Sequence, residues 1–260
     1  MSTISYKFVS SFLLRMPTAI SIVQNEEGFA IASDSLHYDM GTGTALPGHL
    51  QKVFPFDVAN SSLAYCLCGI ITFNAMDKHG KQSSVFSLLT EVPKVLAAMD
   101  KMAALRQFAE VFGKRICTRL RKATRLTPPP THTVTHVSLL GYYNGTPGIA
   151  IVEIRSANRF EYDVDPENVL YNVINGCFPG EIMKRFYVDP VFERFRARNY
   201  PHSGIQAAIE IARQAVLACY DEAVRAKYPE ANKVGGPIHI AKITRAGFAW
   251  VEKLPSTSTL

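Results

Sequence analysis

Apolar and polar positions alternate over Thr18–Gln24, TAISIVQ, a stretch rich in β-branched residues, and this predicts a strand. Asn25–Gly28, NEEG, is a turn signal, and the run FAIASDS resumes the strand up to Ser35. Together they predict a hairpin. Gly41–His49 reads as a Gly/Pro loop, followed by strands over Lys52–Phe56 and Ser62–Cys68, with Gly69 interrupting the apolar run. The period then changes to helical. Ser84–Met99 places Val85, Leu88, Leu89, Val92, Val95 and Leu96 on one face, with Pro93 expected to kink or break it. Met102–Thr124 repeats the pattern with Leu105, Phe108, Ala109, Phe112, Ile116 and Leu120, and Thr127–Pro130, TPPP, stops it.

A second strand set follows. His132–Tyr143, a turn at Asn144–Gly148, and Ile149–Ile154 form a hairpin, and Arg159–Val164 and Val169–Gly176 continue the sheet. Pro179–Phe186 is a short helix and Ser203–Ala226 a long one, aligning Ile205, Ile209, Ala212, Val216 and Cys219. Gly235–Ile243 and Gly247–Leu254 close the chain as a last hairpin, before a loose polar tail at 255–260. Two antiparallel strand groups with helices between them indicate an α+β protein: two stacked sheets flanked by helices, a four-layer αββα sandwich. No linker or internal repeat divides it, so one domain spans 18–254.

Composition narrows the function classes. The 260 residues are 47% hydrophobic and 19% charged, a globular balance that can bury a large core. The net charge of +6 admits nucleic acid as a partner. The one basic run, Lys114–Arg125, carries Ile116 and Leu120 at helical spacing and no interleaved aromatics, so it reads as a helix with a solvated basic face. Five cysteines, Cys66, Cys68, Cys117, Cys177 and Cys219, show no zinc-like pair of pairs and read as reduced core thiols of a cytoplasmic protein. No segment reaches the roughly 18 apolar residues that span a membrane. Residues 1–17 carry a short apolar run at Phe8–Leu14, and RMPT is a poor signal-peptidase site. They are either a propeptide or a misassigned start, with Met16 as the true first residue. The seven histidines are dispersed, and His202 beside Ser203 makes no dyad by adjacency alone.

The first hairpin carries the candidate chemistry. A threonine hydroxyl is a weak nucleophile and needs a base. If Thr18 became the first residue, its own α-amine, with a pKa of about 8, would serve. A cation beside the hydroxyl favours its deprotonation, and Lys52 is the candidate. Asp34, at the foot of the partner strand, can hold that lysine, and a backbone N–H at Gly69 can bind a developing oxyanion. Each residue also has a plain structural use: Thr18 as a strand former, Asp34 as a turn cap, Lys52 as an edge-strand lysine, Gly69 as a bulge.

TAISIVQNEEGFAIASDS resembles the start of proteasome β-subunits and of the bacterial peptidase HslV, with the same sixteen-residue spacing from threonine to aspartate. QKVFPF resembles the strand bearing the family's catalytic lysine, with a loop two residues longer. LAYCLCGI resembles the strand before its Gly-Gly turn, INGCFPGEIM its Gly-Ser-Gly turn, and GGPIHIAKITRAGFAWV its closing hairpin. The resemblance covers Thr18 to Leu254. It implies a threonine peptidase or amidase in a homo-oligomeric ring, acting on peptide or protein with an ATP-dependent unfoldase as partner and no metal or organic cofactor. It also implies that Cys68 stands at the first glycine of the substrate-binding oxyanion turn, and Cys177 at the serine supporting the threonine amine. On its own residues Cys177 reads as a small buried side chain, since nothing near it in sequence lowers its pKa. The sequence departs from the family in three ways. Pro17 replaces the glycine before the threonine, the two cysteines replace glycine and serine, and RARNYPHSG lacks the acid expected before the third long helix. Amide-bond hydrolysis by Thr18 is the favoured expectation; Pro17 and the missing acid support its rival, a non-catalytic subunit with a structural or assembly role. Nucleic-acid binding through Lys114–Arg125 ranks last.

Overall fold

The computed structural model describes residues 18–37, 45–58, 61–76, 82–123, 133–156, 160–166, 174–196 and 204–253. The expected N-terminal extension, the TPPP stop and the C-terminal tail lie outside them.

Strands β1 (Ile20–Asn25) and β2 (Gly28–Ser33) form the first hairpin. Asn25 makes its turn, its Oδ1 accepting from the N–H groups of Glu27 and Gly28 at 3.0 Å each. Next come β3 (Val53–Val58), β4 (Ser61–Gly69), β5 (Thr72–Met76) and β6 (Gln82–Ser87). They are followed by α1 (Leu88–Ala97), α2 (Leu105–Ala123), β7 (Thr133–Tyr143), β8 (Thr146–Ser156), β9 (Phe160–Pro166) and β10 (Ile174–Cys177). The chain ends with α3 (Ile182–Phe186), α4 (Ile205–Ala218), α5 (Glu222–Lys227), β11 (His239–Thr244) and β12 (Gly247–Glu252). Two 3₁₀ turns, Pro190–Phe195 and Pro229–Lys233, flank α4 and α5.

Two five-stranded antiparallel sheets carry the architecture, in the orders β10-β1-β2-β11-β12 and β3-β4-β7-β8-β9. Side-chain alternation splits each strand between two cores. On β4, Leu63, Tyr65 and Leu67 face Phe108, Phe112 and Ile116 of α2, while Ala64, Cys66 and Cys68 face the other sheet. On β1, Val23 packs toward Ala212 and Val216 of α4, while Ile20 and Ile22 meet the second sheet. Helix, sheet, sheet, helix is the four-layer αββα arrangement that the strand grouping predicts. Burying each large side chain of α2 contributes about 1.5–3 kcal/mol, more than helix propensity supplies, so packing holds that helix. Its Ile116 and Leu120 are buried and Arg119 pairs outside with Glu91 at 2.7 Å, as expected for an amphipathic helix.

Several boundaries differ from the sequence expectation. The helix expected from Ser84 begins at Leu88, because Gln82–Ser87 pairs with β5 as a hairpin that the local pattern did not reveal. Pro93 sits inside one continuous α1. The expected single helix Ser203–Ala226 is two, since Asp221 caps a new one by accepting from the N–H groups of Ala223 (3.0 Å) and Val224 (3.1 Å). The Asn144 turn is tighter than expected. Asn144 and Gly145 both hold left-handed φ, 52° and 77°, as a two-residue hairpin loop requires. Strand β11 begins at His239, and Gly235 and Gly236 form a loop instead. Among the described residues, no helix is long and apolar enough to cross a membrane.

Candidate active site

The hairpin delivers its two polar ends to one place. Thr18 lies just before β1 and Asp34 just after β2, and the ladder extends to them through Asp34 N–H donating to Ala19 O at 3.0 Å. The Asp34 carboxylate is fully buried. Its Oδ1 accepts from Ala19 N–H at 2.9 Å and from Lys52 Nζ at 2.7 Å, and its Oδ2 from Gly235 N–H at 3.4 Å. Lys52, 1% exposed, comes from the other sheet, immediately before β3. Its Nζ also donates to Thr18 Oγ1 at 3.4 Å. The structure thus brings Thr18, Asp34 and Lys52 into one buried cluster assembled from both sheets.

Burial is the strongest influence on both charges. It pushes the Asp34 carboxyl above its ordinary 3.8 and the Lys52 ammonium below its ordinary 10.5, each opposed by the attraction of the other. The Lys52 side chain is thereby held within hydrogen-bond reach of the Thr18 hydroxyl.

Gly69 ends β4 with a left-handed φ of +97°. It lies two residues after Leu67, whose N–H donates to Lys52 O at 2.9 Å, so the end of β4 runs beside the start of β3. The cysteines need correction. Cys66, Cys117 and Cys219 are buried free thiols, and burial pushes each thiol up, Cys117 to about 12. Cys68 and Cys177, however, are joined in a disulfide across 109 residues of sequence. The two strand ends meet only when the sheets stack, which no local pattern discloses. The cytoplasmic expectation loses the all-thiol premise on which it rested.

Sequence reasoning missed the glycine loop that closes over Asp34. Gly235 O accepts from Ser35 N–H (3.2 Å) and Leu36 N–H (2.9 Å), and Tyr220 Oη donates to Gly236 O at 2.7 Å. Gly236 holds φ +73°, and a Cβ there would lie 2.6 Å from Ser35 Oγ, so a larger residue there would be strained. The adjacent Gly-Gly pair was the available signal. His37 and His239 were missed too. Burial lowers the pKa of both below 6.5, and the charge on Lys52 adds to the effect. Among the described residues, no group of three or more His, Cys, Asp or Glu side chains is placed to hold a metal ion.

No protein-family model matches this chain, and no curated protein matches it. The chain is not a recognised member of the proteasome β-subunit and HslV family. The resemblance of its motifs is corrected accordingly. Solved structures similar to it include an Anbu (Gly-1) mutant from Hyphomicrobium sp. strain MC1, with 14% identity, 93% of this chain and 88% of that chain covered, and a TM-score of 0.46. Another is Anbu (ancestral beta-subunit) from Yersinia bercovieri, with 13% identity, coverage of 89% and 86%, and a TM-score of 0.46. Likeness at this level fixes neither family nor activity, and the αββα assignment rests on the sheets and helices themselves.

Proposed function

We propose that this protein is a threonine amidase or peptidase that hydrolyses amide bonds with Thr18 as nucleophile. The observation that carries the reading is Lys52 Nζ, buried and held by Asp34 at 2.7 Å while it faces Thr18 Oγ1 at 3.4 Å. Burying a lysine is costly, and here the position places a cation against one hydroxyl. With Thr18 freed as the first residue, its α-amine takes the hydroxyl proton as Oγ1 attacks the carbonyl carbon. Lys52 stabilises the developing alkoxide, and the backbone at Cys68–Gly69 receives the oxyanion. Collapse expels the amine, which takes the proton back from the ammonium. Water then attacks the Thr18 ester, the α-amine again accepting the proton; collapse breaks the bond to Oγ1, which takes that proton back as the carboxylic acid leaves.

A second reading, a non-catalytic subunit of structural or assembly role, is favoured by the 4% exposure of Thr18 and by the bridge that ties up Cys68. Turnover of a panel of fluorogenic peptide amides by native protein and by Thr18→Ala separates the two. Amidase action requires the variant to fall by about 10³-fold or more. Equal turnover by both removes Thr18 from the chemistry.

A further inference from the structure

The candidate site is divided between two bodies. Thr18 and Asp34 belong to the sheet containing β1 and β2, whereas Lys52 and Gly69 belong to the sheet containing β3 and β4. Among the described residues, the Cys68–Cys177 bridge is the covalent link between the two sheets at this point. Cys177 lies on β10 directly opposite Ile20 of β1, two residues inside Thr18. Cys68 immediately precedes Gly69 on β4. Both side chains point into the space between the sheets. The disulfide therefore crosses from the nucleophile's sheet to the oxyanion strand one side-chain row behind the nucleophile.

We infer that Cys68 and Cys177 are positioning residues, and that their disulfide is a redox-sensitive brace: the bridged form holds Thr18 against Lys52 and Gly69, and reduction lets the two halves of the site separate. This deepens the threonine-hydrolase reading and rests on it. Opening needs a dithiol reductant. One of its thiolates attacks Cys177 Sγ, Cys177 being 9% exposed as a residue against 2% for Cys68, so the S–S bond breaks and Cys68 leaves as a thiolate that takes up a proton. The reductant's second thiolate then displaces Cys177, which is protonated in turn, and the reductant departs as a cyclic disulfide. Two electrons pass to the protein. Free Cys66, on the same face of β4, does not compete, because burial holds its thiol protonated.

The test uses the purified mature protein with Thr18 as its first residue, bridged or reduced with dithiothreitol, and p-nitrophenyl acetate as acylating probe. Peptide mapping without reductant locates the 68–177 link, and intact mass follows acetyl transfer to Thr18 at several ester concentrations. Reduction is expected to lower the limiting acylation rate constant about ten- to a hundredfold, the cost of roughly ångström misplacement, with the half-saturating ester concentration unchanged. The Cys68→Ser/Cys177→Ser variant is expected to match the reduced protein and to ignore dithiothreitol. A bridge with a merely structural role would lower the fraction of protein acylated and leave the rate constant alone. That outcome overturns the inference. So do absence of the crosslinked peptide, a rate constant within twofold in both forms, and loss of circular dichroism in both the reduced protein and the variant. Failure of acylation in both forms, with the bridge mapped, instead counts against Thr18 as nucleophile and removes the positioning role with it.

Discussion

Lys52 is the residue on which the site turns, and its energetics are unfavourable unless partnered. A buried ion pair gains little over apolar side chains of equal volume, but removing one partner strands the other charge. Asp34→Ala and Lys52→Met are each expected to cost about 3–5 kcal/mol, and the double variant much less than their sum, measured by urea unfolding. The pH dependence has two limbs of opposite sign. Above 3.8 the folded state keeps a proton on Asp34 that the unfolded chain has lost, so stability falls as pH rises toward the raised folded value. Below 10.5 the unfolded chain keeps a proton that folded Lys52 has released, so stability rises with pH from the lowered folded value up to 10.5. Both slopes should vanish in the double variant; if they persist, the titration belongs elsewhere. At this scale the sequence was informative. Thr18, Asp34 and Lys52 could be picked out because polar residues at strand ends interrupt apolar runs. His239 could not, because its surroundings depend on what lies across the sheet, and the Gly235–Gly236 loop left only its glycine pair as a signal.

At the scale of elements, the register of β10 against β1 sets where Cys177 lies, and Gly176 fixes that register. It has φ +124°, and a Cβ on it would come 2.1 Å from Ile20 O. Gly176→Ala must push β10 off β1, at an expected cost of about 1–3 kcal/mol. The change in mass-mapped Cys68–Cys177 bridging and in the urea midpoint report it, and a midpoint equal to native would show that the two strands are not in that close approach. Strand period revealed β1, β2, β4 and β11 because both faces of these strands are buried in apolar cores. It missed β5 and β6, which among the described residues pair with each other and have mixed polarity. It also merged α4 with α5, because the apolar stripe runs through the Asp221 cap.

For the whole molecule, the αββα layering was legible because strand and helix patterns arrive in blocks. The disulfide was not, since it depends on stacking the two sheets and not on either alone. The same stacking makes the candidate site a property of the complete fold: neither sheet holds both Thr18 and Lys52. Under the proposed threonine-hydrolase reading, the state of the chain before Thr18 separates scaffold from catalyst, because the α-amine serves as base only when free. The mass of the N-terminal peptide of the purified mature protein decides this directly. Catalysis by Thr18 with its own α-amine as base requires that peptide to begin at Thr18 with a free amine; a mature protein still carrying any residue ahead of Thr18 would contradict it.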